Sequence, residues 1–149
     1  MSSKFQDLRA ALVSAINTRF TTDGITDVVV TEYTPTGEVS REDRVWLERI
    51  RVAQQPLTMG GTGRVIGEDI EIDLRVWAPR SGADQDDLKL AEQRAEAIFA
   101  SVENALRNDS DVGDTLMFAD IDSFESIPIV DTDGASGLIE AVVTGQANI

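Results

Sequence analysis

Four glycines, Gly60, Gly61, Gly63 and Gly67, fall within eight residues of the run LTMGGTGRVIGEDIEIDLRVWAP, from Leu57 to Pro79. Glycine loops of this density cradle phosphates when their backbone N–H groups open a helix. The dinucleotide fingerprint G-x-G-x-x-G needs a strand before it and a helix after it. Here the spacing from Gly61 to Gly67 is G-x-G-x-x-x-G, and a strand-like alternating segment follows. A P-loop ends in G-K-[ST], and no lysine stands there. The glycines therefore read as a connection between two strands. From Ala53 to Gly67 that connection is long, the kind that orders on a partner.

Other residues with chemical potential are carboxylates. Glu71 and Asp73 share a strand face, as a hydrolase pair could; alternating charge on a solvated face is the commoner use of that pattern. DTDGASGLIE opens like an EF-hand with Asp131 and Asp133, but Ala135, Ser136 and Val142 occupy positions that need a ligand, a glycine and a glutamate. DSDVGD, from Asp109 to Asp114, has its glycine one place early. The chain has no cysteine and no histidine. Thiolate sites, disulfides, histidine-based triads and the usual zinc ligand are excluded. The expectation is a protein that is not an enzyme and holds no cofactor or metal.

The charge is −14, from 27 acidic and 13 basic residues. All thirteen bases lie between Met1 and Arg107, while Asn108 to Ile149 carries nine acids and no lysine or arginine. Such a chain repels nucleic-acid phosphates instead of binding them. No apolar run approaches a membrane span and no leader is recognisable at the N-terminus.

The elements that position these residues are legible from periodicity. Phe5, Leu8, Leu12, Ile16 and Phe20 form one apolar stripe, which predicts a helix from about Ser3 to Phe20, capped by Ser2 or Ser3 and ended at Gly24. ITDVVVTEY reads as a strand, and so does RVWLERIRV, with Trp46, Ile50 and Val52 on one face. In EDIEIDLRVWA, Ile70, Ile72, Leu74 and Val76 point one way and Glu71, Asp73, Arg75 and Trp77 the other. A second helix starts at the N-cap Asp84, with Leu88, Ala91, Ala95, Ile98, Val102 and Leu106 as its stripe. Two or three strands follow, around Leu116–Ala119, Phe124–Val130 and Gly137–Ala147, with DTDG as a hairpin turn. The order α-β-β-β-α-β-β predicts a single α+β domain. Its largely antiparallel sheet of about five strands carries both amphipathic helices on one face. Trp77 projects from the charged side of its strand, and a large aromatic there calls for cover by the long loop or by another subunit.

The run LRVWAPRSGADQDDLKLAEQRAEAIFASVENALRNDSDVG resembles the central part of the tail-terminator, or tail-completion, proteins of long-tailed bacteriophages. The likeness rests on a strand with a hydrophilic face, a glycine-bearing loop, an A-x-x-R-A helix start (Ala91, Arg94, Ala95) and a V-E-x-x-L-R-x-D end (Val102, Glu103, Leu106, Arg107, Asp109). The resemblance implies a structural virion protein of the tail or neck, assembled in the host cytoplasm. It implies a homo-oligomer, a hexameric ring, that caps the tail tube and joins it to the head connector. Its partners would be the major tail tube protein and a head–tail connector or stopper, with DNA passing through unbound. On this reading Trp46, Trp77, Met59, Gly60, Gly61, Gly63 and Arg64 are interface candidates. Asp109, Asp111, Asp114, Asp120 and Asp122 are candidates for the lumen. The alternatives are a connector or stopper protein and, from another class, a small acidic ligand-binding domain or enzyme.

Overall fold

The computed structural model describes residues 4–36, 41–56, 66–109, 112, 116 and 118–148. Elements run α1 (Lys4–Asp23), β1 (Val28–Thr31), β2 (Asp43–Pro56), β3 (Ile66–Pro79), α2 (Gln85–Asn108), β4 (Phe118–Asp131) and β5 (Gly134–Asn148). The five strands form one sheet in the order β1-β2-β3-β5-β4. β1 is parallel to β2 and every other pairing is antiparallel. The expected α+β architecture and element order are present.

Helix α1 buries Leu8, Leu12, Ile16 and Phe20 of the expected stripe, while Phe5 in its first turn is exposed. It runs three residues past Phe20, and in this last turn the Thr21 and Thr22 hydroxyls donate to the Asn17 and Thr18 carbonyls. Gly24, at φ 74, ends it. The expected caps Ser2 and Ser3 lie outside the described residues. Helix α2 begins with a reciprocal capping box. The Asp87 N–H donates to Asp84 Oδ1 at 2.9 Å, and the Asp84 N–H donates to Asp87 Oδ2 at 3.3 Å. Hydrogen bonds to the backbone and side chain of Asp87 hold the Asp84 carboxyl below its ordinary pKa. Between the helices, Ser101 Oγ donates to Asp23 at 2.8 Å, and Arg19 pairs with the same carboxylate at 3.0 Å.

The core lies between the helices and one sheet face, where Val45, Leu47, Ile70, Ile72, Leu74, Val76, Ile139, Ala141 and Val143 meet Ala95, Ile98, Val102 and Leu106. Burying each valine, leucine or isoleucine side chain among them contributes about 1.5–3 kcal/mol. That term has to carry a chain with few aromatic residues.

Four sequence expectations need correction. First, β1 covers only Val28–Thr31 and not all of ITDVVVTEY, because Asp27 takes a left-handed φ of 62 and breaks the extended backbone before it. Second, the two strands expected at Leu116–Ala119 and Phe124–Val130 are one strand, β4, with a register shift between Ile121 and Ser123. The extra residue, Asp122, interrupts the period-two pattern in the sequence without ending the strand. Third, Ala53 to Pro56 and Ile66 to Gly67 belong to the strands and not to the expected connection, because pairing continues to Gln55↔Gly67 and Pro56↔Ile66. Fourth, Trp46 does not share a face with Ile50 and Val52. A bulge between Leu47 and Ile50 places Glu48 and Arg49 opposite Asp73 alone and inverts the alternation. Val45 and Leu47 before it, and Ile50 after it, therefore all turn to the core, with Trp46 on the opposite face.

Candidate functional site

The sheet face turned away from the helices gathers the charged and aromatic residues of β2, β3 and β5. Strand register sets Trp46 opposite Arg75 and Arg75 opposite Glu140; one step along, Arg44 faces Trp77 and Trp77 faces Leu138. Both tryptophans are half-buried and line one shallow groove of about 410 Å3, with Leu138, Ile129 and Pro35 as its apolar walls. Trp46 Nε1 donates to Glu48 at 3.2 Å. The Arg41 guanidinium stands 5.6 Å from the centroid of the Trp77 ring. Among the described residues Arg41, from the β1–β2 connection, is thus placed over Trp77.

Two arginines organise the charge on this face. Arg75 bridges Glu48 at 3.1 Å and Glu140 at 3.3 Å, joining three strands. Arg51 makes two bonds to Asp73, at 3.0 and 2.8 Å, and one to Glu71 at 3.0 Å. These bonds hold the Asp73 carboxyl below its ordinary value, with burial opposing, and push the Arg51 guanidinium up. A glycosidase-type pair needs one carboxyl raised so that it carries a proton at working pH. Asp73 is driven the other way, and Glu71 is tied to the same arginine. Both carboxylates of the Glu71–Asp73 pair are engaged in ion pairs with Arg51. Among the described residues no group of three or more acidic, histidine or cysteine side chains is placed to hold a metal. No helix there is long and apolar enough to cross a membrane.

The other candidates scatter. Met59, Gly60, Gly61, Gly63 and Arg64 lie outside the described residues, as do Asp111 and Asp114. Asp109 is the C-cap of α2, its N–H donating to the Ala105 carbonyl at 2.9 Å, at the far end of the helix layer. Asp120 and Asp122 are exposed on β4, the edge strand.

The residues that carry the family likeness have structural work. Ala91 and Ala95 are fully buried where α2 meets the sheet. Arg94 donates to Asp43 at 2.9 Å and to the Thr26 carbonyl at 2.6 Å, tying α2 to the start of β2 and to the turn after α1. The spacing alone does not identify these partners, which are far away in the chain. Nor does it reveal Arg9, which reaches from α1 to the Glu32 carbonyl at 2.7 Å and the Glu48 carbonyl at 2.6 Å, just where β1 stops covering β2.

A solved virion protein has this fold. A chain of the structure described as "Virion of native gene transfer agent (GTA) particle" matches with a TM-score of 0.54 and 18% identity, over 94% of this chain and 96% of that one. No family model matches the sequence, and no curated protein matches it.

Proposed function

We propose that the protein is a structural subunit of a phage-like virion that assembles as a ring, caps the tail tube and joins it to the head connector. The observation that carries this reading is the correspondence with a virion chain over nearly the full length of both partners. The A-x-x-R-A and V-E-x-x-L-R-x-D resemblance, which points to tail terminators, supports the finer role. A ring subunit needs faces for its neighbours and for the tube and connector. The open sheet face, with Trp46 and Trp77 in a shallow groove and arginines bridging the strands, has the aromatic and arginine content that protein interfaces favour. In this reading that face, together with the segment bearing Met59, Gly60, Gly61, Gly63 and Arg64, meets the tail tube protein or the connector.

The acidic C-terminal third belongs near the bore. A cationic lumen would hold the genome through released counterions, whereas an anionic one lets it slide. A stopper or connector role in the same neck is the second reading within the virion class. The test is localisation: gold-labelled antibody against this chain, imaged on intact particles, should mark the junction of head and tail. Label on the head shell or the distal tail, or no label on particles at all, defeats the proposal.

A further inference from the structure

The two outer borders of the sheet are built alike, and Arg49 and Asp122 in their bulges are charged oppositely. β1 covers β2 only from Asp43 to Trp46, so among the described residues no strand pairs with the outer border of β2 from Leu47 onward. On the other side β4 is the edge strand throughout. Each border carries a bulge. On β2 it lies between Leu47 and Ile50 and includes Arg49; on β4 it lies between Ile121 and Ser123 and consists of Asp122. Both residues are exposed, and among the described residues neither makes an ion pair. Each bulge also has an exposed large apolar residue close by, Val52 on β2 and Phe124 on β4. The strands follow the same polarity, since β2 carries Arg44, Arg49 and Arg51 against Asp43 and Glu48 while β4 and β5 contribute acids alone.

We propose that these borders dock head to tail between two copies of this chain, the Arg49 bulge and Val52 of one subunit lying against the Asp122 bulge and Phe124 of the next. The inference rests on the ring reading above and names its subunit contact. A contact between two different borders is heterologous, and repeating a heterologous contact closes a ring when the rotation permits. Charge complementarity fixes the order of the borders and rejects like against like. The contact runs through side chains and not through a continued ladder, because a bulge on each border interrupts regular pairing and Pro128 supplies no N–H on β4. It moves Asp122 from the lumen to the subunit boundary and leaves Asp120 beside the bore. The plainer use of a bulged, charged border is protection against edge-to-edge aggregation, and the two uses give different results on charge exchange.

The experiment is sedimentation velocity on the full chain, as wild type, Arg49→Asp, Asp122→Arg and the double exchange, with circular dichroism to verify each fold. The wild type should show a concentration-dependent oligomer. Each single exchange should raise the concentration of half-dissociation at least tenfold, and the double exchange should return it to within about threefold of wild type. Oligomers that survive both single exchanges, or a double exchange no better than the singles, overturn this contact. A wild-type chain that stays single at every concentration also overturns it. Neck labelling of particles is an independent readout, so the virion reading stands or falls separately.

Discussion

Gly137 on β5 lies so close to Ala91 on α2 that a Cβ at position 137 would sit 2.7 Å from the Ala91 carbonyl oxygen and 2.9 Å from its carbon. Both atoms belong to backbone, so neither can swing aside. The first turns of α2 are thus seated directly on the sheet, with Ala91 and Ala95 presenting no side chain large enough to hold the layers apart. Gly137→Ala should cost about 1–3 kcal/mol, the usual penalty for overpacking. For a chain of this length that lowers Tm by roughly 2–12 °C. Thermal unfolding by circular dichroism checks it, and an unchanged Tm means α2 is not pressed on β5.

Leu106 is 3% exposed in the last turns of α2, within the main core cluster. Leu106→Asp places an unpaired charge there, which costs several kcal/mol against a total stability of about 5–15 kcal/mol. The expected product is insoluble or unfolded protein. Leu90→Asp is the control, since Leu90 is 51% exposed on the same helix, and it should melt like the wild type.

Three carboxyls, Asp73, Asp84 and Asp23, sit below the ordinary aspartate value in the folded chain: Asp73 chiefly through Arg51, Asp84 through the Asp87 N–H, and Asp23 through the Ser101 hydroxyl. A depressed folded pKa contributes stability above the unfolded value, about 3.9, and loses it as pH falls toward the folded value. Urea midpoints should therefore vary little with these groups between pH 7 and 5 and fall below about pH 4. In Arg51→Gln, Asp73 loses its largest source of depression, so the variant should start lower and lose less below pH 4. Parallel curves for both proteins mean that the Arg51–Asp73 bond has no linkage to folding.

The sequence makes α2 and β3 legible because both repeat one period without interruption: Ala91, Ala95, Ile98, Val102 and Leu106 on the helix, and Ile70 to Val76 on the strand. It misleads at β2 and β4 for one shared reason. A bulge adds a residue that period-two reading cannot distinguish from a strand end or a change of face, so Trp46 is assigned beside Ile50 and β4 is divided at Asp122. The groove was half legible. Trp77 announces itself by standing among Glu71, Asp73 and Arg75, but its neighbours Trp46, Leu138 and Pro35 arrive through strand register and the β1–β2 connection, which only the fold supplies. Arg94, Arg9 and Arg51 escape for the same reason, since their partners lie 20 to 68 residues away. No local pattern marks them as clamps instead of ordinary surface charge.

The last prediction concerns the acidic third and the genome. Asp111, Asp114 and Asp120 are the lumen candidates left once Asp109 is assigned to the α2 cap and Asp122 to the subunit boundary. Changing all three to lysine shifts each subunit by six charges in the positive direction, and a ring multiplies that shift by its number of subunits. Asp120 is exposed on the edge strand β4, and Asp111 and Asp114 lie outside the described residues; the subunit should fold and rings should form. If the stretch faces the bore, passing DNA meets cations that trade places with its counterions, and each phosphate engaged adds a salt slope of about 0.9. Ejection from particles carrying the variant should slow, and the slowing should shrink from 10 mM to 200 mM salt as the Debye length falls from about 30 Å to below 10 Å. Ejection timed by dye release at both salt concentrations reads this directly. Equal rates for wild type and variant at both, with particles intact, place the acidic stretch on the outer surface of the neck.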